Sequence, residues 1–278
     1  MQNFLLFIAC ELIRFMHFIK KNTTISINQR SFSVQTIQPA AGQKFPFLVF
    51  LHHALGSIAQ WKDFPEELAK MTELPAVLIE RLGHGRSGEM DSAPGQDHFH
   101  KEAFEKLPLL LNELGIQRPF LIGHSDGATI ALLYASRFPV AGVIAEAPHI
   151  QVEEQTLEGI RQSLRKKGEL SSRMEKYHGK KAERLISAWS EMWLAPSFRE
   201  WNIERELKQI SAPVMVVQGT DDPYGSMSHL EGILRALRRR SCAFIVPGCG
   251  HFPHAEARVA VLERMAGFID YSITHHTT

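Results

Sequence analysis

Short apolar runs alternate with helix-spaced stretches along most of the chain. Residues 24–28 and 32–37 alternate apolar and polar positions around Gln29-Arg30, which predicts a hairpin. Residues 47–52 and 76–80 are apolar up to their last residues, His52 and Glu80, the pattern of strands covered on both faces. Between them Ser57 reads as a helix start, and residues 61–71 carry apolar side chains at helical spacing. Residues 99–114 place Phe104, Leu107, Leu111 and Leu114 on one helical face, and Gly115 closes that helix. Strands follow at 120–122, 140–145, 213–218 and 242–246, with helices at 128–138, 228–237 and 259–271. Strands alternating with helices predict an α/β fold, a mostly parallel, doubly wound sheet with helices on both faces.

Residues 149–210 break this rhythm. They hold no convincing strand run, are rich in charge, and space their apolar residues as helices do. Tyr177, Trp189, Trp193, Phe198 and Trp201 all fall here. Residues 1–23 are the other irregular stretch. Their apolar segments are interrupted by Glu11 and Arg14, too early for a membrane span of ~20 apolar residues. A positive leader and a small-residue cleavage site are both missing. Three readings stay open, an amphipathic anchor, an atypical signal, or an upstream extension with a functional start near Met16; the third is favoured, which leaves membrane contact by the N-terminus the less favoured expectation.

Composition narrows the class. A hydrophobic content of 44% and a charged content of 22% are those of an ordinary soluble globule. The formal net charge of +1 gives no reason to expect nucleic acid as a partner. Cys10, Cys242 and Cys249 form no C-x-x-C pair, which points to a reducing, cytoplasmic location. The histidines pair at 52/53, 98/100 and 251/254, without metalloprotease spacing, so no metal site is expected.

The chemistry is concentrated at Gly123-His124-Ser125-Asp126-Gly127, between an apolar strand and a helix. Gly-x-Ser-x-Gly in that setting is the pattern of a nucleophile elbow. Flanking glycines leave room for a turn too sharp for a Cβ, and the turn exposes the serine hydroxyl. Serine is a poor nucleophile at neutral pH and needs a base, which needs an orienting acid. Asp221-Asp222 and the histidines His251 and His254 each stand just past a predicted strand, at the sheet edge where open α/β folds place their sites. Glu146, just after the preceding strand, is an alternative acid.

From about residue 24 onward the chain resembles the α/β-hydrolase superfamily, in its serine-nucleophile branch with a helical cap. Five segments carry the resemblance: residues 51–57, Glu80-Arg-Leu-Gly-His-Gly-Arg-Ser87, the elbow, Gly219-Thr-Asp-Asp222 and Gly248-Cys-Gly-His251. The resemblance implies an α/β-hydrolase core in two parts, 24–148 and 211–278, with 149–210 as the cap. It favours Asp222 over Asp221 as the acid, and His251 over His254 as the base. It makes the N–H groups of Ala54 and Asp126 the oxyanion donors. His53 stands where the family usually has glycine, beside the oxyanion turn, and Ala128 replaces a second glycine. Trp189 and Trp193 would line an apolar substrate pocket together with His53. The activity implied is acyl transfer from a small, fairly apolar carboxylic ester to water through an acyl-enzyme, with no cofactor. Carbon–carbon bond hydrolysis of diketone-like ring-cleavage products and slow-turnover ligand reception are the alternatives on the same scaffold.

Overall fold

The computed structural model describes residues 17–40, 42 and 44–275. Eight strands form one sheet: β1 (Phe18–Ile27), β2 (Arg30–Pro39), β3 (Leu48–Leu51), β4 (Ala76–Ile79), β5 (Phe120–His124), β6 (Gly142–Glu146), β7 (Val214–Gly219) and β8 (Ser241–Val246). Their order is β1-β2-β4-β3-β5-β6-β7-β8. β1 and β2 form an antiparallel hairpin, β2 runs antiparallel to β4, and the other neighbours are parallel. Asn28 and Gln29 turn the hairpin with φ of 49° and 62°, the left-handed pair that a tight hairpin loop requires.

β1 begins at Phe18, so residues 18–23, grouped with an extension in the sequence reading, pair with residues 34–39 of β2. The edge strand is mostly exposed from Ile19 onward, which removes the apolar alternation by which a strand is recognised. The expected start near Met16 lies outside the described residues.

Period-2 alternation sorts the central strands between two cores. Leu48 and Phe50 of β3, with Ile122 and Ile144, pack against Phe64 and Leu68 of α1 (Phe64–Thr72) and Met265 of α8 (Arg258–His275). Val49, Leu51, Leu121 and Val143 face the opposite layer. That layer holds α2 (residues 98–113), α3 (Asp126–Arg137) and α7 (Met227–Leu237). A π-type turn over Glu102–Lys106 interrupts α2, which the even spacing of its apolar residues does not reveal. Ser57 makes no capping bond; a short 3₁₀ turn, Ile58–Trp61, precedes α1 instead.

The segment between β6 and β7 is a helical insertion with α4 (Glu154–Arg165), α5 (Lys167–His178) and α6 (Ala182–Leu194). An antiparallel bridge, Gln151 to Asn202, ties its two ends together. Phe198 and Trp201 stack at 5.2 Å, and both lie against Phe99 of α2. These rings are structural: they fasten the insertion to the core.

Candidate active site

Ser125 links β5 to α3 with φ 54° and ψ −119°, a strained conformation for a residue other than glycine. The glycines on either side are obligatory. A Cβ at Gly123 would lie 2.3 Å from the Gly127 carbonyl oxygen, and one at Gly127 would lie 2.1 Å from the Leu51 oxygen. Backbone cannot yield as a flexible side chain can. Gly127→Ala is therefore expected to lower stability by about 1–3 kcal/mol and to misplace the serine. Thermal denaturation beside initial rates checks both.

The Ser125 N–H donates to the Glu146 carbonyl at 2.8 Å, while its hydroxyl makes no hydrogen bond among the described residues. Asp222 follows β7 and His251 follows β8. His251 Nδ1 lies 2.9 and 2.8 Å from the two Asp222 oxygens. A carboxylate only accepts, so Nδ1 carries a proton and Nε2 is the nitrogen left for other partners. Asp222 Oδ1 also accepts from the N–H groups of Tyr224 (2.8 Å) and Gly225 (3.3 Å), and Oδ2 from Gln218 Nε2 at 2.9 Å. Burial works to raise the Asp222 carboxyl, but His251 and the Tyr224 N–H outweigh it and hold it below its ordinary range. Asp221 is exposed, and among the described residues its side chain accepts only from the Thr220 hydroxyl. The Glu146 carboxylate is bonded to His254.

Ser125, His251, Ala54 and Asp126 border one cavity of about 300 Å³. Three side chains hold the His53-Ala54 turn, and sequence reasoning passed over all three. Arg81 donates to the His53 carbonyl at 2.8 Å, and His84 Nε2 lies 2.7 Å from the Ala54 carbonyl. His52 accepts the Arg81 N–H at Nε2 and donates from Nδ1 to the His53 carbonyl. These bonds fix the carbonyls of His53 and Ala54. Arg81 and His84 lie within the family-like segment 80–87, which was the available signal.

His53 borders the cavity, with Nε2 3.0 Å from Gln60 Oε1 and its ring edge-on to Phe252. Burial keeps it well below the ordinary histidine range, so it is neutral near pH 7. From the insertion, Leu170, Met174, Trp189 and Trp193 close the cavity roof. Trp193 also packs against Phe99 and Phe198, whereas Trp201 does not reach the cavity. Among the described residues, Arg173 is the only Lys or Arg on its wall.

Asp126 has a second property. Its side chain is buried, and burial pushes its carboxyl up to about 6, offset in part by the Arg81 guanidinium at 3.9 Å. A carboxyl raised on folding favours the native state fully below its unfolded value. That advantage is lost as pH rises through about 6. Asp126→Asn removes the charge and keeps the backbone N–H. It is expected to stabilise the protein by about 3 kcal/mol at pH 8 and by nothing near pH 3. Urea unfolding at the two pH values measures the difference.

A serine on a strained strand–helix turn, with an acid and a histidine on the next strand ends and a helical roof, is an α/β-hydrolase arrangement. The chain belongs to the alpha/beta hydrolase family, whose model matches residues 48–264. It is 28% identical over 148 residues to 2-succinyl-6-hydroxy-2,4-cyclohexadiene-1-carboxylate synthase of Enterobacter sp. (strain 638), covering 52% of each chain. It thus spans about half the length of the curated relatives it matches. Among solved structures it is similar to a membrane phospholipase A from bacteria, with a TM-score of 0.70 and 19% identity over 97% of this chain and 92% of that one. The enol-lactonase of Burkholderia xenovorans LB400 gives a TM-score of 0.71 and 13% identity over 89% of this chain and 100% of that one. At these identities the structural likenesses establish the fold and not the substrate. Among the described residues no helix is long and apolar enough to cross a membrane.

Proposed function

We propose that the protein is a serine hydrolase that cleaves a small, mainly apolar carboxylic ester through an acyl-enzyme. The observation that carries this reading is His251, held by Asp222 at 2.8 Å and bordering the same cavity as the Ser125 hydroxyl, which has no partner among the described residues. His251 Nε2 takes the Ser125 proton as Oγ attacks the ester carbonyl. The N–H groups of Ala54 and Asp126 stabilise the tetrahedral oxyanion. Collapse expels the alcohol, which takes its proton from His251. Water, deprotonated by the same Nε2, then attacks the acyl-enzyme and releases the acid. Hydrogen bonds of this kind commonly tighten only with substrate in place, so an unpaired serine in the free enzyme is compatible with the role. No step needs a cofactor. The described cysteines, Cys242 and Cys249, are free thiols, in keeping with the cytoplasmic location we propose.

The roof of Leu170, Met174, Trp189 and Trp193 favours apolar acyl groups of limited length. Each buried methylene gains about 25 cal/mol per Å² until the cavity is full. Catalytic efficiency is expected to rise from acetyl to butyryl or hexanoyl esters and to fall toward palmitoyl. An acyl series of nitrophenyl esters tests this. A maximum at palmitoyl would mean an open lipase-like surface. Cleavage of a vinylogous diketone without ester turnover would replace the proposal with a carbon–carbon hydrolase. Tight ligand binding without turnover of either would replace it with a receptor.

A further inference from the structure

A second acid–histidine pair stands beside the first. Glu146 ends β6, fully buried, and His254 lies in the short turn Pro253–Glu256 just beyond His251. His254 Nδ1 is 3.0 and 2.9 Å from the two Glu146 oxygens, and its backbone N–H donates to Oε1 at 2.6 Å. This repeats the geometry of His251 on Asp222. The carboxylate holds the proton on Nδ1 and turns Nε2 the other way. Nε2 has no protein partner among the described residues, and the ring borders the same cavity as Ser125. Trp61 at 4.7 Å and Phe64 at 5.6 Å confine the ring. His124 stands between the two pairs, with its ring 5.1 Å from that of His251 and 5.0 Å from that of His254. Its Nε2 donates to the His251 carbonyl at 2.7 Å, which leaves Nδ1 a buried acceptor without a donor among the described residues.

Burying a carboxylate is costly, and the acyl-transfer steps above make no use of this one. We infer that Glu146 positions His254 to bind a hydroxyl group of the substrate, so that the preferred ester is a hydroxylated one. A hydroxyl suits the site because it both donates and accepts, and so pairs with Nε2 in either protonation state. The hydroxyl can belong to the acyl chain or to the alcohol; the chemistry of recognition is the same. This inference rests on the ester-hydrolase reading of Ser125.

Three esters of matched size separate the possibilities: propyl butyrate, propyl 3-hydroxypropanoate and 2-hydroxyethyl butyrate. The wild-type kcat/KM for one hydroxylated ester is expected to exceed that for propyl butyrate by about tenfold, mainly through KM. The hydroxylated ester that is preferred tells whether the group lies on the acyl or the alcohol side. In His254→Phe the ratio should fall to near one, and Glu146→Gln should lower it part of the way. A merely structural role would reduce all three rates together and leave the ratio intact, which overturns the inference. Turnover of propyl butyrate with no wild-type preference overturns it too, and needs no variant to fold. Absence of turnover on all three esters would instead count against the ester-hydrolase reading itself.

Discussion

Ser125→Ala is expected to abolish ester turnover and leave the fold intact. The loss should be on the order of a millionfold in kcat, as for other triads that lose the nucleophile, because only the oxyanion donors and substrate binding remain. The fold should hold for a local reason. The serine hydroxyl makes no hydrogen bond among the described residues, so its removal leaves no buried partner unsatisfied. The backbone bonds of the turn survive the change: Ser125 N–H to the Glu146 oxygen, and the N–H groups of Ala128 and Thr129 to the Ser125 oxygen. A shift in stability within about 0.5 kcal/mol is expected. A serine-directed fluorophosphonate should label the wild type at Ser125 and leave the variant unlabelled. Labelling at another serine, or turnover that survives the substitution, would remove Ser125 from the mechanism.

Most of the core was legible because its strands carry apolar side chains on both faces. β3, β4 and β5 are buried along their whole length, and such runs stand out against polar loops. β1 was legible only in its second half, because its first half alternates nothing: Lys20, Lys21 and Asn22 face solvent on an edge strand. The elbow was legible because a strained turn demands glycine at fixed distances from the serine. Two neighbouring aspartates and two nearby histidines were harder to separate, since each pair satisfies the same spacing. Only the three-dimensional contacts show Asp222 on His251 and Glu146 on His254. Arg81, His84 and His52 escaped notice for another reason. They bond to backbone N–H and carbonyl groups across some thirty positions of sequence, and no local pattern records such a bond. The aromatic residues of the insertion show the limit of composition. Trp189 and Trp193 reach the cavity, whereas Trp201 and Phe198 serve the packing of the insertion on α2.

Asp222→Asn should lower kcat by about four orders of magnitude, the loss seen when an orienting acid becomes an amide in a protease triad, while Asp221→Asn should do little. The reason lies in the donors around Asp222. The N–H groups of Tyr224 and Gly225 point at Oδ1, so an asparagine must place its carbonyl oxygen there. Its NH₂ group then occupies the Oδ2 position, 2.8 Å from His251 Nδ1. Gln218 donates to Oδ2 in the wild type, but its own Oε1 is unpartnered, so a flip of that amide accommodates the new NH₂. Facing a donor, His251 Nδ1 must give up its proton and become the acceptor. The proton then sits on Nε2, the atom that has to receive one from Ser125, and the base is blocked. KM should change little, since Asp222 does not border the substrate cavity. Asp221 is exposed, its side chain accepts only from the Thr220 hydroxyl among the described residues, and it touches neither histidine, so its amide should keep turnover within about threefold, as for ordinary surface changes. Steady-state rates of the two variants on one short-chain ester decide the matter. A large loss at Asp221 and none at Asp222 would reassign the acid. Wild-type rates in both would leave Glu146 as the acid to test, which would require the His251 loop to rearrange in solution.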